Sequence, residues 1–404
     1  MSILQLPPTS HNEPAWWKAF RTQAWETFRQ LDWPPAHDET WRMARPETFQ
    51  LGRFSAASRL RPAIVVPQTS PQVLALSLEE ALTQQPALVQ SSLMQRVIRP
   101  ADGKLQALHA AHMNGGVIVR VPRGVIVEQP IAIHWHYADA ERAYCPHVLV
   151  IAEEGSHVAI LDEYTSVSEG AAVSVAAVEV IAESGAHVTY ATHHQLGSQV
   201  NHVSVQRLLA ARDAHVQLVL LSTGGQCSRF QLESIAEGSG AHIELLGVRV
   251  GRGIQQCHVV SLQDHPAAHT TSDLLLKSAL HDSAYGTYYG LIRIHPKAQK
   301  CAAYQADRNL LLGEHAKAET TPVLEIEADD VRCTHGASVG PVDQQQLFYM
   351  RSRGIPPEIA QTMLVYGFLD GVLDRVRHPV VREQFSRRLI ASVGTLDLLE
   401  RVEV

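Results

Sequence analysis

Cysteine is scarce in this chain, with Cys145, Cys227, Cys257, Cys301 and Cys333 the only five in 404 residues. They are odd in number, at least 30 residues apart and include no C-x-x-C pair, which argues against a disulfide framework and a structural zinc knuckle. Long apolar runs are missing too. No window of 18 uncharged apolar residues occurs, and MSILQLPPTSHNEPAWW lacks the basic start and apolar core of a signal peptide. The expectation is a soluble cytoplasmic protein with reduced thiols. Nor is there a basic block: charged residues make up 19% and the net charge is −7, so neither nucleic acid nor an anionic membrane has electrostatic support as a partner. The glycine pairs at 115–116 and 224–225 belong to no GxxxxGK[ST] or GxGxxG loop, and GxSxG, HExxH and the kinase motifs are absent. The chain itself is therefore expected to be no ATPase.

What the chain does have is length and apolar content (45%) enough for a sizeable core in two to three domains, and 22 histidines against only 8 Phe and 10 Tyr. Residues 14–30, PAWWKAFRTQAWETFRQ, carry Trp17, Phe20, Ala24 and Phe28 at helical spacing, with Pro14 at the start and Pro34–Pro35 beyond the end. The rest of residues 1–113 mixes proline-bounded turns with short helical stretches at 71–83 and 86–98 and reads as a partly helical N-terminal region.

From about Gly115 the texture changes to short Val/Ile-rich runs of period two, and these runs repeat. Aligning each Gly/Ala-rich turn with the strand after it places His157, Ala172, His187, His202, His215, Arg229, His242, His258 and His269 at one register, spaced 15, 15, 15, 13, 14, 13, 16 and 11 residues apart. A unit of about 14 residues is one strand and one turn, so two units make one coil of a flattened solenoid. The fold class expected is mainly β: a right-handed parallel β-helix core over residues 114–353, flanked by the helical N-terminal region and a C-terminal helical region at 354–404. Stacking puts alternate units on opposite faces, so His157, His187, His215, His242 and His269 should line one side, His202 and His258 the other. With no carboxylate at fixed spacing, a hydrogen-bonding role at the turn-to-strand junction is expected for them rather than metal storage. The C-terminal stretches from Pro356 and Pro379 repeat apolar residues at spacings of three and four, which predicts two amphipathic helices that either cap the open solenoid or dock a partner.

The chemical candidate is the C-x-H of VLEIEADDVRCTHGASVGPVD. In a strand Val331, Cys333 and His335 share one face, setting a thiol beside an imidazole as a soft pair suited to iron, zinc or sulfur. Two ligands do not close a site, so the others must come from elsewhere in the chain, a cofactor or another subunit. Asp329 and Asp330 could instead be the carboxylates of a β-helix carbohydrate-active enzyme, but consecutive strand residues face opposite ways and aromatics are only 6% of the chain. A purely structural subunit is the other alternative.

Between residues 272 and 372 the blocks AYQADRNLLL, TPVLEIEADDVRCTHGASVG and QLFYMRSRGI closely resemble the SufB/SufD family of iron–sulfur cluster assembly proteins. The N-terminal LDWPPAHDETWRM is a looser match. DDVRCTHGASVG and the chain length resemble the SufD branch rather than the SufB branch. The resemblance implies a scaffold subunit that pairs with a SufB-like paralogue and a SufC-like ABC-type ATPase, or with itself in isolation. It further implies that His335 and Cys333 lie where a transient nascent cluster meets SufB ligands, that helices over about 356–399 dock the ATPase, and that reduced flavin is associated with the complex.

Overall fold

The computed structural model describes residues 2–6, 13–35, 37–57, 59–68, 72–167 and 170–394. Its centre is a parallel β-solenoid whose successive strands go alternately to two sheets, so that each strand pairs with the strands two before and two after it. Sheet one ends on the strand Lys317–Ile326, and sheet two on Arg332–Gly340. The half-unit of about 14 residues in the sequence is this alternation. Val158, Ile160, Val188, Tyr190, Val216 and Leu218 point inward from sheet two and belong to one continuous interior core with Val178, Val180, Leu208 and Phe230 of sheet one. The coil closes through left-handed turns. Gly155, Gly185, Asp213 and Gly240 all have positive φ, and the Gly155, Asp213 and Gly240 amides each donate to a carbonyl of the next coil.

That turn column explains one departure from the sequence reading. His269 has φ 59 and sits in the column of Gly240, whose amide donates to its carbonyl. Thr271, not His269, takes the place opposite His242 in sheet two. On sheet one, His202 stands opposite Ser228 whereas His258 stands opposite Arg229, so these two histidines do not share a column. The imidazoles of His157, His187, His215 and His242 do stack, with ring centroids 4.3, 4.7 and 5.4 Å apart. Among the described residues, no group of three or more His, Cys, Asp or Glu side chains is placed to hold a metal ion.

Sheet one is covered on its outer face as far as Cys227 and sheet two from Ala159 to Ala279, which is why many of these strands are apolar throughout rather than alternating. Helix α1 (Ala15–Gln30), formed where the spacing of Trp17, Ala24 and Phe28 predicts it, packs with helix α4 (Lys104–His112) over Leu149, Ile151, Val173, Val175 and Val203 of sheet one. Between them, residues 71–83 are not one helix. Leu74–Ser77 is a strand antiparallel to Gly115–Val121, and Ser77 then opens helix α2 (Leu78–Gln84) with a capping box, its hydroxyl accepting from the Glu80 amide while the Glu80 carboxylate accepts from the Ser77 amide. Helix α3 (Pro86–Ser92) follows and stops six residues short of the end expected for it.

After the last strand come helices α5 (Gln344–Ser352), α6 (Pro357–Leu373) and α7 (Pro379–Val393). The expectation that C-terminal helices close the open end does not hold for the described residues. Leu369, Val372, Phe385 and Leu389 pack on Leu161, Ala191, Val219, Leu246 and Ala279, the outer face of sheet two. Small outward residues such as Ala159, Ala191 and Ala279 let the helices approach. The part of the second predicted helix beyond Gly394 lies outside the described residues. No described helix is long and apolar enough to cross a membrane.

Candidate functional site at the open end of the solenoid

Among the described residues the last coil is bare: Arg332–Gly340 pairs on one edge only, with Ala302–Leu311, and Lys317–Ile326 only with Tyr285–Ile294. Ile326, Val339, Phe348 and Tyr349 are all exposed at this end, at 41, 43, 72 and 58%. Helix α5 buries none of its residues.

Cys333 and His335 stand on this last coil. Cys333 lies opposite Ala303, above Ser272, and His335 opposite Gln305, above Leu274, so both belong to the inward-facing columns of sheet two. With no further coil to cover them, Cys333 is half-buried and His335 exposed. Burial pushes the Cys333 thiol up from its ordinary value, the hydrogen bond of the Ala303 backbone opposes this, and the neighbouring Cys301 adds to it. The thiol is thus a weaker acid than a free cysteine. Cys301, fully buried, donates from Sγ to the Ala267 carbonyl at 3.2 Å and is no second open ligand. Asp329 and Asp330 precede the strand, and Asp330 pairs with Lys300. The structure therefore presents a half-buried thiol and an exposed imidazole on one face of the end strand.

Beneath them the interior turns polar. Tyr288 donates to Gln305 Oε1 at 2.7 Å, directly under His335. Gln263 Nε2 donates to Ser272 Oγ at 2.7 Å, two coils below Cys333. Deeper still, the Arg249 guanidinium donates to Asp307 Oδ1 at 2.7 Å, Asn309 Oδ1 at 3.2 Å and the Thr287 carbonyl at 2.8 Å, with both ionic partners 1% exposed. This buried ion pair escaped the sequence reading. Its trace is an arginine in the otherwise apolar run LLGVRVG and an aspartate in AYQADRNLLL, both at inward positions of their strands.

The chain matches the family model described as "SUF system FeS cluster assembly, SufBD core domain" over residues 135–368, more than half its length. It is 34% identical over 301 residues to the iron–sulfur cluster assembly protein SufD of Bacillus subtilis, covering 74% of this chain and 68% of that one. It is 26% identical over 273 residues to SufD of Escherichia coli (68% and 62%), and 27% identical over 276 residues to SufB of Bacillus subtilis (68% and 59%). The long motif blocks, the parallel solenoid and these matches agree, and the chain belongs to the SufB/SufD family of iron–sulfur cluster assembly proteins.

Proposed function

We propose that this chain is a SufD-like scaffold subunit: it presents His335 and Cys333 at the open end of its solenoid to a SufB-like paralogue, and the nascent cluster, the cargo of the complex, forms transiently between them. The observation that carries the reading is the uncovered last coil. Two unpaired strand edges with exposed Val339 and Ile326 are a template for another chain's strands, and α5 offers Phe348 and Tyr349 beside them. A partner seated there would bury the half-set of ligands and complete it. The imidazole and the thiol, once deprotonated, are suited to iron and sulfide.

Helices α6 and α7 supply the second contact in this reading, with a SufC-like ABC-type ATPase. They lie along sheet two, whose strands run in register to Arg332–Gly340, so a load applied to them acts on the sheet that carries both site residues. Nucleotide-driven closure of the ATPase would strain the shared end and open it to iron and sulfide. The chain itself turns nothing over.

The test is to co-express the chain with a SufB-like and a SufC-like subunit, purify the complex, and read iron and sulfide content with the stoichiometry. His335→Ala is expected to leave the complex intact and reduce bound cluster to the level of the complex lacking this chain. Wild-type cluster content in that variant removes His335 from the site. Failure of the three chains to co-purify removes the scaffold reading itself.

A further inference from the structure

On sheet one, far from the open end, lies a buried hydrogen-bond relay that the assembly reading does not use. His109 of α4 has Nδ1 2.8 Å from the Val175 carbonyl and Nε2 3.0 Å from His147 Nδ1. His147 Nε2 is 3.1 Å from Glu179 Oε1. Glu179 also accepts from the amides of Met94, at 2.7 Å, and Ile98, at 2.9 Å. All three side chains are essentially inaccessible, at 1, 1 and 0%. His147 and Glu179 belong to the solenoid, whereas His109, Met94 and Ile98 belong to the N-terminal region, so the relay crosses the seam between the two.

Counting donors fixes its proton content. A carbonyl only accepts, so His109 Nδ1 carries hydrogen toward Val175. The 3.1 Å contact of His147 Nε2 with Glu179 Oε1 needs a hydrogen between them too. One more hydrogen is needed between His109 Nε2 and His147 Nδ1. Three hydrogens along the relay is one more than two neutral rings and a carboxylate hold. Burial, and then His147 beside it, pushes His109 down to about 3, so the extra hydrogen does not rest on His109.

The surrounding charges require the same proton. Arg207 stands beside Glu179 in the sheet and binds Glu233, Asp102 and the Val97 carbonyl. Gln231 links Glu233 to Arg229, whose guanidinium lies 3.7 Å from the Trp41 ring centroid and donates to the Thr40 carbonyl. Among the groups facing the relay, α4 also brings His112, bonded to the Gln5 carbonyl, and α1 brings Arg21, which donates to the Ala111 carbonyl and pairs with Glu13. The 93–98 turn adds Arg96, paired with Glu183, and the strand beside His147 presents only Gly116. Glu179, Glu233 and Asp102 against Arg207 and Arg229 leave the row one positive charge short, and the extra proton of the relay supplies it.

We propose that the N-terminal region is latched onto the solenoid by a single proton trapped along His109, His147 and Glu179, so that its docking is proton-linked. The docked relay holds one proton more than two free neutral imidazoles and one fewer than two free imidazoliums, so docking is strongest near the free-imidazole range, about pH 6.5, and becomes progressively weaker as pH rises above it or falls below it.

Amide exchange of Met94 and Ile98 in the full chain, corrected for the intrinsic pH dependence of exchange, tests this between pH 6.5 and 8.5. The docking equilibrium is expected to fall in the wild type with a slope that steepens from pH 6.5 and approaches about tenfold per pH unit, that of one proton, above about pH 8. Glu179→Gln keeps an acceptor for one amide but no charge, and is expected to abolish the slope while the solenoid strands keep their protection. A flat wild-type profile overturns the latch without any variant being needed, and so does a slope that survives Glu179→Gln.

Discussion

Acidification from pH 7 to pH 5 is expected to unfold the solenoid. Burial pushes His202 and His258 down to about 3, and His112, His193 and His265 down to about 4. Each is buried and neutral in the fold, and regains an ordinary value near 6.5 when the chain unfolds. The stabilisation tied to that neutrality is complete above about pH 6.5 and is lost as pH falls toward the folded values. At pH 5 each of the five costs about 2 kcal/mol, so together they cost on the order of 10 kcal/mol, comparable to the whole stability of a typical domain. Circular dichroism at equilibrium should show a cooperative loss of β signal centred near about pH 5. A native spectrum at pH 4 would mean that these imidazoles reach water without unfolding. His202 is the most exacting member, since neither of its ring nitrogens has a protein partner and its ring packs against His194 and Phe230.

Asp307→Ala is expected to destabilise the chain by about 3–5 kcal/mol, because it leaves the Arg249 guanidinium charged and buried with only neutral acceptors. Much of that loss is the penalty of an uncompensated charge. The double replacement Arg249→Met with Asp307→Leu should therefore recover stability to within about 1–2 kcal/mol of the wild type, or exceed it. Urea unfolding of the two variants separates the cases. A single variant that loses under about 1 kcal/mol would show that water or a side-chain shift neutralises the site. Asp307 is on the strand next to the one that carries Cys333 and His335 and Arg249 is three strands in from it, so the single variant also asks how far a loosened interior reaches.

The solenoid could be read from the sequence because stacking demands a repeat, and each coil repeats its turn and its small, β-branched inward residues. The register failed where the repeat changes its own rules. His269 resembles the turn-to-strand histidines in sequence, but it fills a left-handed turn otherwise held by Gly155, Gly185, Asp213 and Gly240. The apolar stripes of α6 and α7 showed that the helices bury one face. They could not show which surface receives it, because the receiving residues, Ala159 through Ala279, sit in strands that are apolar on both faces. Cys333 and His335 were legible as neighbours on one face through simple alternation. Their position at an uncovered end was not, since it depends on where the chain stops adding coils. The pairs His147–Glu179 and Arg249–Asp307 lie 32 and 58 residues apart, and in the sequence each leaves only a lone charge in an apolar strand.

The stacking order also has a temporal side. Every coil rests on the one made about 28 residues earlier, so a chain leaving the ribosome can lay down each coil on a finished template, starting from the end covered by the N-terminal region. The face bearing Cys333 and His335 is completed last, when Gly340 emerges. Only then do α5, α6 and α7 follow, so the surface that bears Cys333 and His335 does not exist until the whole solenoid has been synthesised.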